Sequence, residues 1–114
     1  MTSPVRPYIT LTTDFGLKDH FVGTMKGVII NISPFVRIID ISHQITPQDI
    51  DEAGFVLECA YKYFPPYTIN VVVVDPEVGS ARKPLLVVSD RYYFIAPDNG
   101  VLSFLYNNEE EPVK

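Results

Sequence analysis

Three carboxylates lie where runs of β-forming residues meet turns: Asp14 after Tyr8–Thr13 (YITLTT), Asp40 within Val36–Ile41, and Asp75 after TINVVVV. An ionised carboxylate accepts hydrogen bonds and donates none, so at such a position it could accept from the hydroxyls of a ribose. Asp75 opens the segment DPEVGSAR, in which Pro76 fixes a turn, Gly79 relaxes it, and Arg82 returns seven residues after Asp75. A loop of that length can fold back to set guanidinium against carboxylate and keep the acid ionised. The same spacing also makes an Asx-Pro turn with an exposed arginine, and spacing alone favours that plainer reading. Asp14-Phe15-Gly16, taken alone, likewise favours a cap or turn over a ribose contact. Asp98-Asn99-Gly100 is a strong turn signal whose amides could line a pocket. His20 and His43 are separated by a strand and lack metal-ligand spacing, so both are expected to be structural or exposed, with no metal bound. GxGxxG, P-loop, CxxC and GxSxG patterns do not occur.

The elements that must position these residues follow from periodicity. Phe21, Met25, Val28, Ile29 and Ile32 recur at helical spacing, which predicts an amphipathic helix over Asp19–Asn31 stopped by Ser33-Pro34. A second helix is expected to start at Thr46-Pro47-Gln48-Asp49, with Thr46 as cap, Pro47 in the first helical position and Asp49 at the positive end of the dipole. Its stripe of Ile50, Ala53, Leu57, Ala60, Tyr61 and Phe64 runs to Pro65-Pro66. The four valines at 71–74 do not alternate with polar residues, which suits a strand covered on both faces. Leu85–Ser89 and Tyr92–Ala96 read as a hairpin, Val101–Tyr106 as the start of another helix, and 107–114 as a polar, acidic tail. The order strand, helix, strand, helix, strand predicts a layered α/β domain: a mainly parallel sheet flanked by helices, plus a C-terminal hairpin. Right-handed crossovers then gather Asp14, Asp40 and Asp75 on one edge, where open α/β sheets bind ligands.

The totals set bounds. The 114 residues suffice for one domain, and 46% hydrophobic content with 20% charged residues builds a core. A net charge of −5 with nine scattered basic residues argues against nucleic acid. No apolar run approaches the ~20 residues of a membrane helix, and Met1–Pro7 has no h-region, so a cytoplasmic protein is expected. Cys59, in an apolar helical stretch, is expected to be a buried small hydrophobe.

Five segments, in order, resemble one known family: TTDFG at 12–16, DHFVGTMKG at 19–27, IIDISHQITPQDI at 38–50, YFPPYTINVVVVDPEVG at 63–79 and FIAPDNGVL at 94–102. The family is that of the S-adenosylmethionine hydrolases (hydroxide adenosyltransferases), which includes fluorinases and chlorinases. The resemblance implies S-adenosylmethionine as substrate and no cofactor, with water attacking the ribose C5′ to give adenosine and L-methionine. It implies that Asp14 binds the ribose and that Asp19 lies near the methionine amine. Asn99 belongs to the substrate-binding edge, and Asp75 and Arg82 match two of an Asp-Arg-His group that positions and polarises the water. Halide-using relatives carry tyrosine where this chain has Asp75, so an acid there favours water.

Residues 1–114 are expected to be the N-terminal part of the family's α/β domain. The catalytic histidine and a C-terminal β-barrel domain lie in later segments of the family, and the family's sites form between subunits of a homotrimer. Within the motif, Glu77 replaces a glycine, which sets a second carboxylate near Asp75 and is expected to lower activity. Two other readings are a non-catalytic S-adenosylmethionine- or adenosine-binding domain and an α/β interaction module.

Overall fold

In the computed structural model, residues 7–75 and 84–108 are described; Glu77 and Arg82 lie outside them. The chain runs β1 (Tyr8–Thr13), α1 (Phe21–Ile32), β2 (Arg37–Ser42), α2 (Ile50–Ala60) and a 3-10 turn at Tyr61–Tyr63. It continues through β3 (Ile69–Val73), β4 (Pro84–Val88), β5 (Tyr93–Pro97) and α3 (Leu105–Asn108). The five strands form one sheet in the order β2-β1-β3-β5-β4. β1 pairs in parallel with β2 and β3, β3 pairs in parallel with β5, and only β4 runs antiparallel, against β5. This is the expected α/β domain with a mainly parallel sheet and a C-terminal hairpin.

The second strand of the hairpin, not the first, enters beside β3. Burial explains the choice. Phe94 and Ala96 of β5 are buried, whereas β4 exposes Leu85 and Leu86. β4 also starts at Pro84, which has no N–H for a ladder and is tolerated at an edge.

One face of the sheet is closed. Val72 and Val74 from the β3 segment and Phe94 and Ala96 from β5 join Ala53 and Leu57 of α2 in the core. Tyr61 lies edge-on to Tyr92 and Phe94, with ring centroids 5.4 and 5.3 Å apart. Gly54 allows the closest approach in this layer: a Cβ there would lie 2.8 Å from the Val101 carbonyl oxygen. Two buried polar side chains of β1 and β3 pair across the strands, with Thr10 Oγ1 donating to Asn70 Oδ1 at 2.7 Å and Asn70 Nδ2 donating to the Tyr93 carbonyl, whereas the buried Thr12 Oγ1 has no hydrogen-bond partner among the described residues.

α2 starts one turn later than the Thr46-Pro47 signal predicts. Gln48 adopts a left-handed φ of 64°, which breaks the helical path, and Asp49 becomes the cap, its side chain accepting from Glu52 N. Asp51 and Glu52 then occupy the first turn, where the helix dipole favours negative charge. Cys59 is exposed, which corrects the expectation of burial. It sits two residues, or about 200° of helical rotation, beyond the inward-facing Leu57. The expected helix over Val101–Tyr106 is mostly turn, and only its end enters α3. Val101, Leu102 and Leu105 still close the end of the core.

The other face is only partly covered: Leu11, in register there with Asp40 and Val71, is fully buried, but the helix above it is not. No residue of α1 is fully buried. Val22, Met25, Lys26 and Ile29 are half-buried, while Phe21, Val28, Ile30 and Ile32 are exposed. The predicted apolar stripe is therefore rotated: Met25 and Ile29 belong to the sheltered side, and Phe21, Val28 and Ile32 do not. Among the described residues no helix is long and apolar enough to cross a membrane.

Candidate functional site

β1 has β2 on one side and β3 on the other, so the two successive crossovers leave in opposite directions. That reversal opens a crevice at the carboxyl ends of β1 and β3, the usual ligand position in open α/β sheets. Thr13 pairs with Val73 in the register of these strands. Asp14 and Asp75 therefore follow the last paired residues of two neighbouring strands and flank the crevice.

The loops after β1 and β2 enclose a cleft of ≈ 700 Å³, lined by 14–19 and 43–47. Asp14 and Asp19 both reach it. Asp14 Oδ2 accepts from the Gln48 amide at 2.8 Å, and Oδ1 has no partner among the described residues. The left-handed turn at Gln48 is what aims that amide at the carboxylate. The Asp19 side chain is 61% exposed, and its Oδ1 accepts from the His20 amide at 2.8 Å.

Asp75 is buried at the neighbouring strand end, 8% exposed. Arg82 is outside the described residues. Asn99 lies near the same strand end, but both ends of its side chain are engaged: Nδ2 donates to the Val74 carbonyl at 2.8 Å and Oδ1 accepts from Val101 N at 3.1 Å. Asn99 thus clamps the residue immediately before Asp75. Its amide orientation is fixed by those two bonds.

Sequence reasoning set His43 aside, yet it is the best-connected side chain behind the cleft. It is 3% exposed, its Nδ1 lies 2.8 Å from Thr13 Oγ1 and its Nε2 lies 2.7 Å from Asp40 Oδ1. Lys26 of α1 donates to the other Asp40 oxygen at 2.8 Å. Burial raises the Asp40 pKa, but hydrogen bonds from Lys26 and His43 and the positive charge of Lys26 outweigh it, and the carboxyl is held below its ordinary value. Asp40 lies within β2 rather than at its end and does not line the cleft, which separates it from Asp14. The only sequence sign of His43 was its place inside the segment IIDISHQITPQDI, because its partners are 30 and 3 residues away on different elements.

Residues 9–114 match the model of the SAM hydroxide adenosyltransferase N-terminal domain. The chain belongs to that family. A relative, the (R)-S-adenosyl-L-methionine hydrolase of Methanocaldococcus jannaschii, is 44% identical over 110 residues, covering 92% of this chain and 41% of the relative. A fluorinase from Actinoplanes sp. is 26% identical over 85% of this chain and 40% of its own length. An uncharacterized conserved protein from Thermotoga maritima, of known crystal structure, superposes with a TM-score of 0.85 at 44% identity, over 89% of this chain and 39% of that one. The chain thus spans about 40% of the length of these three proteins.

Proposed function

We propose that this domain binds S-adenosylmethionine along the edge formed by β1, β3 and β5 and supports its hydrolysis to adenosine and L-methionine. The observation that carries the reading is the register of β1 on β3, which sets the half-free carboxylate of Asp14 and the buried carboxylate of Asp75 at adjoining strand ends. Asp14 Oδ1 accepts a ribose hydroxyl, and Asp19, at the outer wall of the same cleft, faces the methionine amine. Asn99 contributes to the substrate edge by holding the Val74 carbonyl and so the approach of Asp75.

In the reaction a water oxygen forms a bond to C5′ while the C5′–S bond breaks. The bonding pair goes to sulfur, which turns the sulfonium into the neutral thioether of methionine. Asp75, acting together with Arg82, orients the water and accepts its proton as the C–O bond forms. The leaving group is good already, so alignment and exclusion of bulk water do most of the work. We read residues 1–114 as the N-terminal part of the α/β domain, with the site completed by the family's histidine-bearing segment and C-terminal barrel domain in a homotrimer. Glu77 near Asp75 slows turnover, and Glu77→Gly speeds it.

The test is incubation with S-adenosylmethionine and chromatography for adenosine and methionine, beside calorimetry with adenosine. Asp75→Asn is expected to lower product by roughly 100-fold, the scale of a lost general base. Asp14→Asn is expected to weaken adenosine binding about tenfold, as for one hydrogen bond to a charged group. Equal product from Asp75→Asn overturns the role of that residue. An absence of adenosine binding overturns the reading of the whole edge.

A further inference from the structure

We propose that His43 is the positioning residue of the ribose site, holding Asp14 in place through Thr13 and anchored from behind by Asp40 and Lys26. The inference rests on Asp14 as the ribose contact and adds a residue that does not itself touch the ligand.

The proton assignments follow from the chain of bonds. An ionised Asp40 can only accept, so the 2.7 Å contact requires the hydrogen on His43 Nε2. In the neutral ring Nδ1 is then an acceptor, and Thr13 Oγ1 donates to it. With its hydrogen so directed, the Thr13 oxygen accepts from the Phe15 amide at 3.2 Å. The residues on both sides of Asp14 are thereby fixed by one hydroxyl.

The backbone repeats the clasp. Gly16 N donates to the His43 carbonyl at 2.7 Å, and Ile45 N donates to the Thr13 carbonyl at 3.3 Å. Gly16 has a φ of 76°, a conformation that suits glycine and lets the loop turn back toward His43. Both ring nitrogens are occupied, so His43 is not the proton acceptor of the reaction. Its hydrogen bonds orient the carboxylate, much as an outer partner orients a metal ligand.

Thr13→Val keeps the branched shape and removes the hydroxyl, and Thr13→Ser restores it. Thr13→Val is expected to weaken adenosine binding by roughly tenfold, measured under conditions where it stays folded, whereas Thr13→Ser stays within about twofold of wild type. Nitrogen NMR of the wild-type imidazole is expected to show the Nε2–H tautomer, a signature that a merely space-filling histidine has no reason to hold. Amide exchange at Phe15 is expected to speed by about tenfold in Thr13→Val. If Asp14→Asn loses affinity while Thr13→Val does not, His43 has no positioning role although the ribose contact stands. If Asp14→Asn has no effect, the ribose contact fails, and the tautomer with Phe15 exchange decides the clasp by itself. An Nδ1–H tautomer, or unchanged exchange at Phe15, overturns the proposal.

Discussion

The two long helices begin from similar sequence patterns and end in opposite situations. α2 is capped by Asp49, carries Asp51 and Glu52 in its first turn, and buries Ala53, Gly54 and Leu57. α1 has no side-chain cap, no acidic first turn and no buried residue. α2 belongs to the closed face of the sheet and supports the core beneath β3 and β5. α1 lies on the partly covered face and is tied to β2 by the Lys26–Asp40 ion pair. An apolar stripe in a sequence reports that a face avoids water; it does not report what covers it. The helix that supplies stability is thus distinct from the one that reaches the polar network behind the site.

Substitutions sharpen that contrast. The largest loss is expected from Leu57→Ala, at about 2–5 kcal/mol in urea unfolding, because Leu57 is fully buried and its cavity would be apolar. Next, Asp49→Ala should cost about 1 kcal/mol by leaving the Glu52 amide without its cap acceptor.

Asp40→Asn should cost less, since the ion pair with Lys26 is 33% and 40% exposed at its two side chains. Because the folded pKa of Asp40 lies below the ordinary 3.8, its contribution is complete above that value and is lost as pH falls through the folded pKa. The stability difference between wild type and Asp40→Asn should therefore shrink in acid titrations below pH 3.8. The smallest effect is expected from Ile32→Lys on α1, within about 0.5 kcal/mol, because Ile32 is 80% exposed. That variant should stay soluble at higher concentration, since it removes exposed apolar surface. A loss as large as that of Leu57→Ala would erase the contrast between the two helices.

Much of the sheet was legible because β-rich runs at Tyr8–Thr13, Val36–Ile41 and 68–74 end at turn signals, and local propensity agreed with the final topology. The edge carrying Asp14 and Asp75 followed from the order of elements. Other features depend on contacts that local sequence does not encode. The start of α2 moved because Gln48 turns left-handed toward Asp14, an interaction 34 residues apart. The insertion of β5 rather than β4 beside β3 depended on which strand could bury Phe94. His43 was missed because its meaning lies in Thr13 and Asp40, which adjoin only after β1 and β2 pair. For Asn99, the turn signal was visible, but its grip on the Val74 carbonyl required β5 to lie alongside β3. The family motifs carried these residues without stating what each one touches.

The central position of β1 also governs how this domain is assembled in time. Its contacts with β2 join residues 29 or 30 apart, and the Thr10–Asn70 bond with β3 spans 60 residues. Only β4 and β5 form a local hairpin, a structure that closes on the order of 1–10 μs. The parallel part must first close two long loops, which places it among slower, non-local folding steps. During that interval the apolar flank of α1 is already synthesised and unsheltered. The order of pairing around one strand is thus also an account of when the chain is most prone to aggregate.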